Sequence, residues 1–243
     1  MIVGPAFWQR ASSGGTADYD KFVLLMHGNG DYVDSSDYAI TVTAYNGATT
    51  TSSSPAPVFG SGVLSFDGTD DYAQTANYSP TPSTGTNGRF IAECRAYFTD
   101  TGVTRTVFGL WDTAGTSVGW LLQRRSTNKL DIFVGNSSSG FYRLSGATTT
   151  IAANTWYRLA LYRDTDGNIN VTIDGALEGS WLSGGSGSQA GEYGIDLKYV
   201  LVGAYRNNSD VKSEFMHGKI DELAITFGSA RTPYSVPSAE YSR

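Results

Sequence analysis

The apolar residues of this chain recur at every second position in short runs, and no segment sustains helical spacing. The cleanest run is 90–98, where Phe90, Ala92, Cys94, Ala96 and Phe98 share one face. Further runs at 22–26, 40–45, 63–66, 107–110, 120–124, 130–134, 156–163, 169–173, 199–204 and 219–227 predict about a dozen short strands. Clusters of Gly, Asp, Asn and Ser separate them and read as turns. Asp164-Thr-Asp-Gly-Asn168 is a hairpin signature in which Gly167 is free to take positive φ. Thr49 to Pro57 reads as loop by its low complexity, and 180–194 as a long Gly/Ser loop around Trp181. The pattern predicts an all-β chain folded as a two-sheet antiparallel β-sandwich.

Composition adds constraints. The 243 residues include 29 Gly and 15 Tyr, and only 16% are charged, which suits turn-rich β-structure with half-buried aromatics. A net charge of −6, with Arg124-Arg125 as the only tight basic pair, excludes a nucleic-acid partner. No run approaches the roughly 20 apolar residues of a membrane span, and the first residues lack the pattern of a secretory signal. The lone Cys94 allows no intramolecular disulfide, and its phase reads as core. Residues 1–20 differ from the rest: Phe7 and Trp8 precede a Ser12-Ser13-Gly14-Gly15 joint. They read as an extended N-terminal arm whose aromatics dock onto a neighbour in a homo-oligomer or larger assembly, or as a terminus folding back on its own domain.

Sugar cleavage by a retaining mechanism needs two carboxylates about 5 Å apart. No strand-like run carries acids two positions apart beside a Glu, and the adjacent Asp221 and Glu222 are expected on opposite faces. The chain is therefore read as non-enzymatic. Asp221 falls in phase with Leu223 and Ile225; a carboxylate sharing a buried apolar face calls for backbone N–H donors or a hard cation. For glycan contact, aromatic platforms with amide hydrogen bonding are needed on loops. Trp111, Trp181, Tyr205 and Asn207 are the candidates, whereas Trp120 and Trp156 lie in strands and read as core.

Three blocks in order, LSFDGTDDYA at 64–73, NTWYRLALYRDTDGNINVTIDG at 154–175 and HGKIDELAIT at 217–226, resemble the laminin-G-like branch of the concanavalin A-like jelly rolls. The opening LLMHG with Asp34-Ser35-Ser36 and the ending at 228–237 resemble such domains in phage and prophage virion proteins, although Arg231-Thr232-Pro233 lacks their intervening Tyr. Beside the arm over 1–20, the resemblance implies one sandwich over 21–230 and a C-terminal tail over 231–243. It implies a structural component of a virion, in head decoration or tail adhesion, assembled in the host cytoplasm. Other virion proteins would be reached through the arm, and a cell-surface glycan would be bound weakly. A free bacterial carbohydrate-binding module at the cell surface is the alternative. The family also implies a structural Ca2+ at the sandwich edge, which on this chain would fall to Asp221 with Asp34 and Asn29.

Overall fold

The computed structural model describes residues 22–77, 90–112, 118–135, 141–164, 166, 168–181, 197–207, 209–227 and 241. The arm with Phe7 and Trp8 lies outside the described residues, as does the tail apart from Tyr241. Seventeen strands form in chain order: β1 Phe22–Met26, β2 Val42–Tyr45, β3 Thr49–Thr51, β4 Val63–Asp67, β5 Tyr72–Thr75, β6 Phe90–Phe98, β7 Arg105–Asp112, β8 Val118–Arg124 and β9 Leu130–Gly135. There follow β10 Phe141–Ser145, β11 Trp156–Arg163, β12 Ile169–Ile173, β13 Ala176–Trp181, β14 Leu197–Val202, β15 Tyr205–Arg206, β16 Lys212–Ser213 and β17 His217–Phe227. No helix occurs among the described residues.

Two large antiparallel sheets build a β-sandwich. The eight-stranded sheet runs β13-β12-β11-β6-β17-β4-β3, with β1 also paired to β17. The seven-stranded sheet runs β10-β9-β8-β7-β14-β5-β2. The inward alternation of β6 (Phe90, Ala92, Cys94, Ala96, Phe98) meets Phe108, Leu110, Trp120, Leu122, Ile132, Val200 and Val202 of the facing sheet in one core. Trp120 anchors it between Phe90, stacked at 5.1 Å, and Phe108, edge-on at 5.8 Å. Trp156 does not join this core. It stands opposite Tyr97, which β6 turns outward, and the two rings meet there at 5.4 Å.

Thr49–Thr51, expected as loop, forms β3 at the rim of the eight-stranded sheet. Three threonines carry no alternation to read, and pairing with β4 alone fixes them. The hairpin strands β15 and β16 were equally invisible at two residues each.

The long β17 is bulged. Asp221 faces Arg95 but Ala224 faces Glu93, so three steps along β17 match two along β6. Glu222 absorbs the extra residue with a left-handed φ of 52°. The bulge shifts the side-chain phase: Ile220, Leu223 and Ile225 point into the core, while Asp221 shares the outer face with Arg95. The expected phase of Asp221 with Leu223 is thus corrected, because simple alternation cannot see an inserted residue. Just before the bulge, Gly218 passes so close to β6 that a Cβ would sit 1.9 Å from the Tyr97 carbonyl oxygen, at a φ of +151°. Backbone must move to admit one, so Gly218→Ala is expected to cost about 3 kcal/mol or more, read as a lower urea midpoint.

Candidate functional site

The outer face of the seven-stranded sheet carries an aromatic layer. Register places Tyr199 opposite Trp111, Leu201 opposite Gly109 and Gln74, and Leu121 opposite Phe133. Trp111, Leu121, Phe133, Tyr199 and Leu201 form a second apolar cluster, with Tyr72, Tyr205 and Phe215 packed against it. The segment 204–216, which holds the β15–β16 hairpin, lies across this layer. Tyr205 meets Trp111 edge-on at 5.5 Å, and Arg206 donates to the Tyr199 hydroxyl. Gly109 makes room for the indole, since a Cβ there would lie 3.1 Å from Trp111 Nε1.

Trp111 is therefore a floor rather than a platform. It was expected in a loop, but β7 extends to Asp112 and the hairpin leaves the residue only 3% exposed. Asn207 is nearby but occupied: its Oδ1 accepts the backbone N–H groups of Ser209 and Val211, each at 2.9 Å, and closes the hairpin tip. Trp181 belongs elsewhere. Its backbone ends β13, the edge strand of the opposite sheet, and its side chain lies outside the described residues. Of the four candidates the structure brings together Trp111, Tyr205 and Asn207.

Residues the sequence did not single out complete this surface. Tyr45 and Tyr72 are directly opposed on β2 and β5, and their rings stack at 4.6 Å and 11°. Lys212 Nζ lies 5.8 Å from the Tyr72 ring centroid. Asp210 pairs with Lys212 and, at 2.6 Å, with Arg206 Nε. Burial, the Tyr45 ring and Asp210 together hold the Tyr72 phenol above its usual range. The signal was faint: two Tyr on outward positions of separate strands look unrelated until the pairing is known.

The outer face of the eight-stranded sheet is different in character. Glu93, Arg158, Asp221 and Glu222 are all buried there. Arg158 pairs with Glu93 at 2.5 Å, and the Tyr241 hydroxyl donates to the other Glu93 oxygen at 2.6 Å. Glu222 meets His27 Nδ1 at 2.7 Å and accepts from the Tyr241 N–H at 3.0 Å. The bulge thus places both Asp221 and Glu222 on the outer side, where the sequence expected opposite faces, and brings them together with Glu93 from the next strand. Phe59 and Tyr241 cover the group, and the cavity they leave is about 10 Å3, the size of one water.

Asp221 Oδ2 accepts the N–H groups of Val58 at 2.8 Å and Phe59 at 3.1 Å, while its Oδ1 has no partner among the described residues. Asp34 is saturated: Oδ1 accepts from the N–H groups of Leu25 and Ser36, Oδ2 from Ser36 Oγ and the Ile40 N–H. Asn29 Oδ1 is turned to Ser61 and Gly62. Among the described residues their oxygens turn to different groups, and only Asp221 keeps a free oxygen, whereas Ca2+ takes six to eight. As they stand they do not fit one Ca2+. Among the described residues the group of three acids with ligand atoms within 4.8 Å of one another is Asp67, Asp70 and Asp71. Two of these are tied into the turn, Asp71 accepting from Gly47 and Asp67, and Asp67 from Thr69. We expect equal melting temperatures with chelator and with added Ca2+; a chelator-induced drop abolished by Asp221→Asn would restore the cation.

Solved structures with this fold include the binding domain of botulinum neurotoxin serotype D, with TM-score 0.61 and 14% identity over 87% of this chain and 49% of that one. The binding domain of botulinum neurotoxin DC, solved in complex with rat synaptotagmin II, aligns with TM-score 0.60 and 13% identity over 86% of this chain and 49% of that one. A type C structure, from work tying that toxin's cell entry to two ganglioside molecules, aligns with TM-score 0.59 and 13% identity over 86% and 48%. The chain thus spans about half the length of these solved chains, and at such identity the likeness is one of fold. No curated protein sequence matches it. Residues 67–236, more than half of the sequence, match one family, and the chain belongs to the concanavalin A-like lectin/glucanases superfamily.

Proposed function

We propose that this chain is a non-enzymatic recognition domain that binds cell-surface glycans weakly through the outer face of its seven-stranded sheet, as a component of a phage or phage-like particle. The observation that carries the glycan reading is the layer itself: an exposed Tyr45, half-buried Tyr72 and Tyr205 and a charged hairpin over a buried aromatic floor, the mix of ring faces and hydrogen-bonding groups that sugars require. The receptor-binding role of the structural neighbours supports it. Glu93, Asp221 and Glu222 do not support hydrolysis, because each is buried under Phe59 or Tyr241 and a water-sized cavity admits no sugar. The particle assignment rests on the sequence resemblance and on the arm. A single shallow surface gives few buried contacts, so monovalent affinity falls on the order of 0.1–1 mM and many copies supply adhesion. A glycan array probed with monomeric and multivalent protein tests this, with retention expected for the multivalent form alone and no reducing sugar released. Retention of neither form, or turnover lost on mutating Glu93 or Glu222, defeats the reading.

The likeness to toxin binding domains favours a second reading, a free bacterial adhesion module. The arm separates the two. Deleting residues 1–15 is expected to leave the melting temperature unchanged while abolishing incorporation into the particle or oligomer; normal assembly of the truncated protein removes the particle role.

A further inference from the structure

Tyr45 stands on β2, the last strand of the seven-stranded sheet, and is 37% exposed. One face of its ring is covered by Tyr72, and Lys212 Nζ lies 5.8 Å from the Tyr72 ring centroid. Tyr45, on the outermost strand, is the exposed ring of the pair, and Tyr72 is half-buried. Neither phenol has a hydrogen-bond partner among the described residues, although Asp210 beside them is exposed. A flat, polarised ring with unpaired hydroxyls and a carboxylate at its side matches the needs of a pyranose. The apolar C–H face of the sugar packs on the ring while its hydroxyls find acceptors and donors at the rim.

Charge selects among sugars. The turn after Tyr45 is bound to the acidic turn before Tyr72, Asn46 Nδ2 donating to the Asp70 carbonyl at 2.6 Å and Gly47 N–H to Asp71 Oδ1 at 2.7 Å. Asp67, Asp70, Asp71 and Asp210 therefore border the pair, against Lys212 and Arg206, and both cations are engaged by Asp210. The surplus is negative. A sialic acid or sulfate would meet like charge, the two cations beside it among the described residues being already engaged by Asp210.

Resting on the glycan reading above, we infer that Tyr45 is the stacking platform for a neutral hexopyranose with a continuous C–H face, such as a terminal β-galactoside, and that the surrounding aspartates reject acidic sugars.

The test uses the full chain over surfaces coated densely with lactose or with 3′-sialyllactose, comparing wild type with Tyr45→Ala, Tyr45→Phe and Tyr205→Ala, each first shown to melt like wild type. The lactose surface is expected to retain wild type about tenfold better than the sialyllactose surface. Tyr45→Ala loses about tenfold, whereas Tyr45→Phe keeps most of the retention because the ring face remains. If Tyr45→Ala binds like wild type while Tyr205→Ala does not, or if sialyllactose is preferred, this inference is overturned and glycan recognition stands. If wild type is retained by neither surface and by no glycan on the array, both fall together.

Discussion

Arg158→Ala lowers the unfolding free energy by about 3–5 kcal/mol, because it removes the guanidinium paired with the buried Glu93 carboxylate. The pair at 2.5 Å is 3% and 2% exposed, so its charges lie well away from bulk solvent. Tyr241 cannot compensate alone, since its hydroxyl already serves the other Glu93 oxygen. The double variant Arg158→Met with Glu93→Leu recovers much of the loss, because no charge is then stranded. Urea unfolding of the three proteins measures this. Equal destabilisation in single and double variants would mean that the arginine acts through packing rather than charge.

Asp221→Asn is expected to stabilise the protein at neutral pH. Burial raises the Asp221 carboxyl from 3.8 to about 6, the Phe59 and Val58 N–H groups opposing the rise and Glu222 adding to it. A carboxyl with a raised folded pKa holds its proton more tightly in the folded chain, so its contribution is greatest below about pH 4 and declines as pH climbs through about 6. At pH 7 the ionised group then costs at most about 3 kcal/mol. Asparagine keeps an acceptor for the same N–H groups and cannot ionise. Melts of both proteins from pH 4 to 8 should diverge as pH rises, the variant being the more stable. A variant less stable by the same margin at every pH would show that the carboxylate is needed for more than its two hydrogen bonds.

How legible this was in the sequence depended on whether a feature was local. Alternation at 90–98 and 169–173 exposed the core faces because Ala92, Cys94 and Ala96, like Ile169, Val171 and Ile173, pack into one core shared with the facing sheet. The hairpin at 164–168 was readable because Asp164 Oδ1 accepts the N–H groups of Asp166 and Asn168 within the turn itself. Non-local features were not. The bulge at Glu222 exists only relative to β6, so a linear count put Asp221 on the wrong face. The search for paired acids along one strand missed Glu93 beside Glu222 for the same reason: pairing across strands does the assembling. Trp111 looked exposed because nothing local announces that residues 204–216 will cover it. The Tyr45–Tyr72 pair depends on β2 and β5 being neighbours, and those two strands are adjacent in the sheet though β3 and β4 separate them in the chain.

Recognition by the outer face of the seven-stranded sheet can be mapped directly by backbone NMR during titration with lactose. The shifts are predicted to move at 43–47, 72–74 and 205–213 in proportion to bound sugar, leaving Glu93, Arg158 and 219–222 unmoved. Perturbations centred on Glu93, Asp221 and Glu222 instead, or the appearance of cleaved sugar, would contradict this placement and reopen the eight-stranded sheet as the working face.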